Sequence, residues 1–147
     1  MTIAEILKKD GILVYKTKGS SMEPMLHENR DVVVIRAKGL SRAEKGDVVL
    51  YTREGKPDYV LHRVVRVGKE GYVMMGDHQF RKERIPESAV IGVLTSFIRN
   101  GREIPVTDPE YLKYVATLSD SSFLRFLGFG FRAVKRKMKR LFGKDGQ

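Results

Sequence analysis

The stretch GSSMEPML, residues 19–26, sets two adjacent hydroxyls, Ser20 and Ser21, on a corner between a glycine and a Met-Glu-Pro turn. Apolar runs flank it on both sides. Two readings are open: a turn that needs small polar residues, or one serine presented as a nucleophile. A serine hydroxyl is almost fully protonated at neutral pH, so the second reading requires an adjacent base. Histidine titrates near neutrality, and can take that proton and return it to a leaving amine. The chain has three histidines, His27, His62 and His78, which argues against a histidine-rich metal site. It has no cysteine, which removes thiol chemistry and disulfides together. No metal or cofactor is implied.

The elements that must position these groups are short strands. ILVYKTKG, DVVVIRA, GDVVLYTR, DYVLHRVVRV, GYVMMGD and AVIGVLTSFIR are rich in Val, Ile and Tyr and bounded by Gly, Pro, Asp or Asn. Residues 47–53 and 58–67 read as a hairpin through EGKP, and 60–67 with 71–76 as another through GKEG. Strands following one another without intervening helices predict a mainly β fold, a compact antiparallel β barrel or folded sandwich. Residues 2–9 suit one or two helical turns. After Pro105 the character changes, with Asp108 as an N-cap and Pro109 at the first helical position. The expected division is a β domain over 1–105 and a helical segment over 106–147.

Three segments in order carry a resemblance. GSSMEPML resembles the nucleophile segment of type I signal peptidases, in which a serine directly before Met-x-Pro attacks. GDVVLY and VLHRVVRV resemble the next two strands of that family, where the residue before Arg-Val is the general base. GYVMMGDHQF resembles the strand and Gly-Asp corner that follow. The resemblance covers roughly residues 11–98 and is to the histidine-base, archaeal and endoplasmic-reticulum variant. It implies the catalytic-core fold of that family, to which the residues after Pro105 are expected to add C-terminal helices. It also implies Ser21 as nucleophile, His62 as base, and Asp77 or Glu83 as the acid that orients the base. His27 and His78 are left as structural; an asparagine is usual where His78 stands.

A carboxylate on the far ring nitrogen fixes the imidazole tautomer and stabilises the imidazolium. Ser21 and His62 are therefore expected within hydrogen-bond reach, near the usual 3 Å. Backbone N–H groups around Ser20 and Ser21 are the expected oxyanion donors. Many relatives carry a serine two residues before the nucleophile, whose hydroxyl assists there; this chain has Gly19. A substrate is expected to bind as an added strand along residues 16–20 and 59–62. That assigns Lys18, Gly19, Met22, Pro24, Val60 and Leu61 to substrate binding. Singly, each feature also has a plain structural reading: Ser-Met-x-Pro as a turn, His62 as a strand histidine, Asp77 as a hairpin end, Glu83 as part of a solvated RKER loop.

The net charge of +10 is concentrated at one end. Between Ser121 and Lys144 stand eight cations and no acid. Phe123, Leu127, Phe131, Val134, Met138 and Leu141 recur at helical spacing, with the cations mostly opposite. A basic amphipathic helix over 121–143 suits peripheral contact with a membrane interface or packing over the β domain. Nucleic acid is not the expected partner, since no base-reading or aromatic pattern accompanies the charge. No run reaches the roughly 20 apolar residues of a membrane span, and no secretory signal is visible. The 20 residues before Ser21 are polar or strand-like, unlike the anchor of signal peptidases. The expectation is a cytoplasmic protein, with a peripheral place at the inner membrane face.

These observations predict a serine endopeptidase acting on a peptide or precursor protein, in the manner of signal- or leader-peptide processing. Two rivals stand beside it. A LexA-type self-cleaving regulator shares the fold and serine but uses lysine as base and needs an Ala-Gly or Cys-Gly site before the serine. A peptide-binding module would keep the scaffold without the chemistry.

Overall fold

The run VVLYT cannot alternate between core and solvent, because four consecutive residues in it are apolar or aromatic; such a strand must be covered on both faces. In a computed structural model, which describes residues 1–118, it is covered that way. Val48 and Leu50 join one apolar cluster, and Val49 and Tyr51 join another. All four are buried.

The chain runs α1 (Ile3–Asp10), β1 (Ile12–Lys16), β2 (Asp31–Ala37), β3 (Val48–Thr52), β4 (Tyr59–Val67), β5 (Gly71–Met75), β6 (Glu83–Pro86), a 3-10 turn, β7 (Val90–Arg99), β8 (Arg102–Pro105) and α2 (Pro109–Ala116). Among the described residues the fold is mainly β, with every pairing antiparallel and eight strands in one sheet. Its order is β1-β2-β7-β3-β4-β5-β6, and β8 adds to β7. Strand β7 organises the sheet. One of its edges pairs with β2, while the other is shared between β3 near Val90–Val93 and β8 near Ser96–Arg99. Both expected hairpins form, β3 with β4 and β4 with β5.

Local signals explain the two helices. Thr2 and Glu5 make a reciprocal capping box at the start of α1, and Gly11 ends it in a left-handed conformation. Asp108 caps α2, accepting from the N–H groups of Glu110 and Tyr111. Helix α2 then buries Tyr111 and Tyr114 in the first apolar cluster. Strands β6 and β8, four residues each, are the two that hydrophobic patterning did not reveal. No helix among the described residues is long and apolar enough to cross a membrane. The basic amphipathic helix expected over 121–143 lies outside the described residues.

Candidate active site

The serine corner is anchored from below and pinned from the side. Met22, Pro24, Met25 and Leu26 are buried, whereas Ser20 is exposed and Ser21 half-buried. Ser20 C=O accepts from the Glu23 N–H, and Met22 C=O from the Leu26 N–H, so the corner is a closed turn. Gly19 enters it at φ +78°, a left-handed conformation that favours glycine. From the side, the His78 N–H donates to Ser21 C=O at 2.9 Å. Gly76 makes that approach feasible, because a β-carbon there would sit 2.5 Å from the same carbonyl oxygen. Beyond the turn, buried Arg99 donates to Met25 C=O at 2.6 Å and to both oxygens of buried Asp31. Asp31 in turn accepts from the His27 N–H.

His62 stands mid-strand on β4, opposite Val49, and is 5% exposed. Tyr51 lies on the same face two residue pairs along, opposite Val60. Its Oη is 3.1 Å from His62 Nδ1, and the two rings meet edge to face. The same Oη donates to Glu83 Oε2 at 2.7 Å. Glu83 is gripped by Arg53, whose Nε and Nη2 each donate at 2.8 Å to a different carboxylate oxygen. Residues from β3, β4 and β6, with Arg53 directly after β3, thus form an unbroken polar chain, Arg53–Glu83–Tyr51–His62.

Burial, seconded by the Arg53 charge, lowers the His62 pKa to about 4, against the opposing pull of Glu83 and Asp77. The Arg53 hydrogen bonds hold the Glu83 carboxyl below its ordinary value despite partial burial. Burial, together with Glu83, pushes the Tyr51 phenol up. At neutral pH the chain therefore holds a neutral imidazole, a protonated phenol and a carboxylate.

Asp77, the other acid considered for orienting the base, makes no hydrogen bond to His62. Arg63 donates to both of its oxygens, at 2.8 and 2.7 Å, and Tyr114 Oη adds a third bond at 2.8 Å. Its acceptors are spent on this buried cluster beneath α2. Neither acid touches the imidazole directly: Glu83 reaches it through Tyr51, a residue that sequence reasoning placed only within an apolar strand.

Ser21 and His62 line the same cavity, of about 560 Å³. Lys18, Gly19, Met22, Val60 and Leu61 also line it; Pro24 and Ser20 do not. Tyr15, Tyr59 and Ile3 supply further apolar wall, and Arg53 and Asp58 supply charge. The expected Ser21–His62 hydrogen bond is not formed. Among the described residues, Ser21 Oγ and His62 Nε2 have no hydrogen-bond partner, and the N–H groups of Ser20 and Ser21 donate to none. Of these residues Ser21 and His62 line the cavity and Ser20 does not. His27 and His78 both lie beside Glu23, at 3.3 and 3.6 Å, away from this chain of bonds.

Residues 2–95 match the Peptidase S24-like family model. The chain belongs to that family. The S24-like match covers the serine corner and all four members of the polar chain, and it is a match at the level of a clan of serine-peptidase type that includes LexA-type regulators and signal peptidases. No curated protein matches the chain significantly.

Proposed function

We propose that this S24-like protein is a serine endopeptidase in which Ser21 is the nucleophile and His62 the general base. The observation that carries the reading is the shared cavity, in which a serine hydroxyl and an imidazole nitrogen both lack protein partners. A peptide carbonyl carbon bound there is attacked by Ser21 Oγ while His62 Nε2 takes the hydroxyl proton. The negative oxygen of the tetrahedral intermediate is met by the unengaged N–H groups of Ser20 and Ser21. Collapse breaks the C–N bond as His62 returns the proton to the leaving amine. Water, activated by the same imidazole, then hydrolyses the acyl-enzyme. Catalytic hydrogen bonds are often long without substrate and tighten once it binds.

The choice of base also separates this reading from the LexA-type one. A lysine base must be desolvated to be neutral at pH 7. Lys18, the lysine at the cavity, is exposed, whereas His62 is buried and held neutral. The substrate is a peptide or precursor protein, lying along Lys18–Gly19 and Val60–Leu61 as an added strand. It is met in the cytoplasm or at the inner membrane face.

The test is cleavage of a mixed peptide library by the full chain, read by mass spectrometry, beside Ser21→Ala and His62→Ala. Cleavage that both substitutions abolish is expected. Cleavage that survives in Ser21→Ala overturns the mechanism, and absence of any cleavage by the unaltered chain points to a binding module.

A further inference from the structure

We propose that Tyr51 is a positioning residue: it ties the Glu83 carboxylate to His62 and so fixes which imidazole nitrogen is the base. The inference rests on the peptidase reading for its consequence in catalysis, but its structural content stands without it.

The number of protons available fixes the tautomer. Arg53 donates to both oxygens of Glu83, so that carboxyl is an ionised, acceptor-only group. Tyr51 has a single phenolic proton, and the 2.7 Å contact with Glu83 takes it. The phenol oxygen then has only lone pairs to offer the imidazole. A contact of 3.1 Å between Oη and Nδ1 is a hydrogen bond only if Nδ1 carries the proton. In the neutral ring this leaves the lone pair on Nε2, the nitrogen without a protein partner in the cavity. The opposite tautomer would set two lone pairs against each other or take the tyrosine proton away from Glu83.

The sheet makes this arrangement rigid. Tyr51 and His62 sit diagonally on paired strands with their side chains on one face, and Glu83 arrives on β6, opposite Met74. The charged and titratable groups acting on His62 from the surrounding elements are Arg53, Glu83 and Asp77, beside Tyr51 itself. Asp77 is committed to Arg63 and Tyr114, whereas Glu83, though paired with Arg53, also accepts from Tyr51, which links it to the imidazole. When Nε2 takes the serine proton, the same bonds run from imidazolium through phenol to carboxylate, with no proton required to move along them. Burial and Arg53 keep the resting ring neutral, so its reactivity depends on the tautomer present.

The experiment is nitrogen-15 NMR of the histidine rings in the full labelled chain, with His27→Gln and His78→Gln used to assign the His62 signals. The expected result is the Nδ1–H tautomer for neutral His62. Tyr51→Phe removes the acceptor, and Glu83→Ala frees the phenol proton to be donated to Nδ1; both are expected to abolish the predominance of Nδ1–H. In the cleavage assay both are expected to lower kcat by about 10²-fold or more with KM little changed. An Nε2–H ring in the unaltered protein, or an unchanged Nδ1–H ring in folded Tyr51→Phe, overturns the proposal. Should Tyr51→Phe fail to fold, Glu83→Ala gives the same reading. The tautomer is read without any substrate, so its result is separate from that of Ser21→Ala.

Discussion

Arg63 holds Asp77 in a two-pronged ion pair, with both side chains buried and Tyr114 Oη completing the carboxylate's shell. Burial alone would lower the Arg63 pKa, and Asp77 raises it well above its ordinary value; a guanidinium is too basic to lose its proton in a protein, so Arg63 stays charged when its partner is removed. Removing one member of such a pair leaves an uncompensated buried charge, at a cost of about 3–5 kcal/mol. Asp77→Ala is therefore expected to lose about that much stability in urea unfolding, with Asp77→Asn losing less. Glu83→Ala, whose partner Arg53 is partly exposed, is expected to lose far less. The two acids separate by which quantity each substitution damages: Asp77 stability, Glu83 the histidine tautomer.

The depressed His62 pKa makes a prediction about acid. Its folded value, about 4, lies below the ordinary 6.5, so the unfolded chain takes up the proton first. The stability associated with neutral His62 is fully present above pH 6.5 and is lost as pH falls toward 4. One pH unit of displacement corresponds to about 1.4 kcal/mol, so the whole loss is roughly 3 kcal/mol. The urea midpoint should fall across that window and fall less in His62→Gln. His27, also lowered by burial and Arg30, contributes a smaller slope that His27→Gln removes. The acid limb of cleavage should correspondingly lie near pH 4 rather than 6.5.

The parts of this molecule legible in its sequence are those in which one element states its own preference. VVLYT and AVIGVLTSFIR announce strands by composition, and Asp108-Pro109 announces a helix start. Strands β6 and β8 stayed hidden because ERIP and REIP are half charged and take their strand character from the strands they pair with, β5 and β7. Tyr51 stayed hidden for a related reason. Within an apolar run it reads as core, which it also is. Its hydroxyl has partners 11 and 32 residues away. One signal was available: the hairpin through EGKP fixes a register that sets Tyr51 diagonally beside His62. Choosing between Asp77 and Glu83 needed the location of Arg63 and Tyr114, which no local pattern reveals.

Gly76 separates the geometry of the serine corner from its chemistry. A β-carbon at 76 would lie 2.5 Å from Ser21 C=O and 3.0 Å from Gln79 Oε1. The first of these is backbone and cannot swing aside, so the corner must move. Overpacking of this kind typically costs about 1–3 kcal/mol. Gly76→Ala is expected to lose stability in that range. It should also lose cleavage out of proportion, measured at a temperature where the variant is fully folded, because the displaced atom belongs to Ser21, the proposed nucleophile.

Gly19 bears on whether a side chain could add to the oxyanion site. Relatives of the type this chain resembles often carry serine two residues before the nucleophile, so Gly19→Ser looks like a gain of a hydrogen-bond donor. Space is not the obstacle, since a β-carbon there meets nothing within 4 Å. The backbone is. At φ +78° a side chain costs about 1 kcal/mol or more, and asparagine tolerates that region better than serine. Gly19→Ser is therefore expected to lower stability by about 1 kcal/mol and to leave kcat no higher, while Gly19→Asn loses less. A rise in kcat for Gly19→Ser, with the corner's amide NMR shifts unchanged, would mean that the serine can reach the oxyanion from a left-handed backbone.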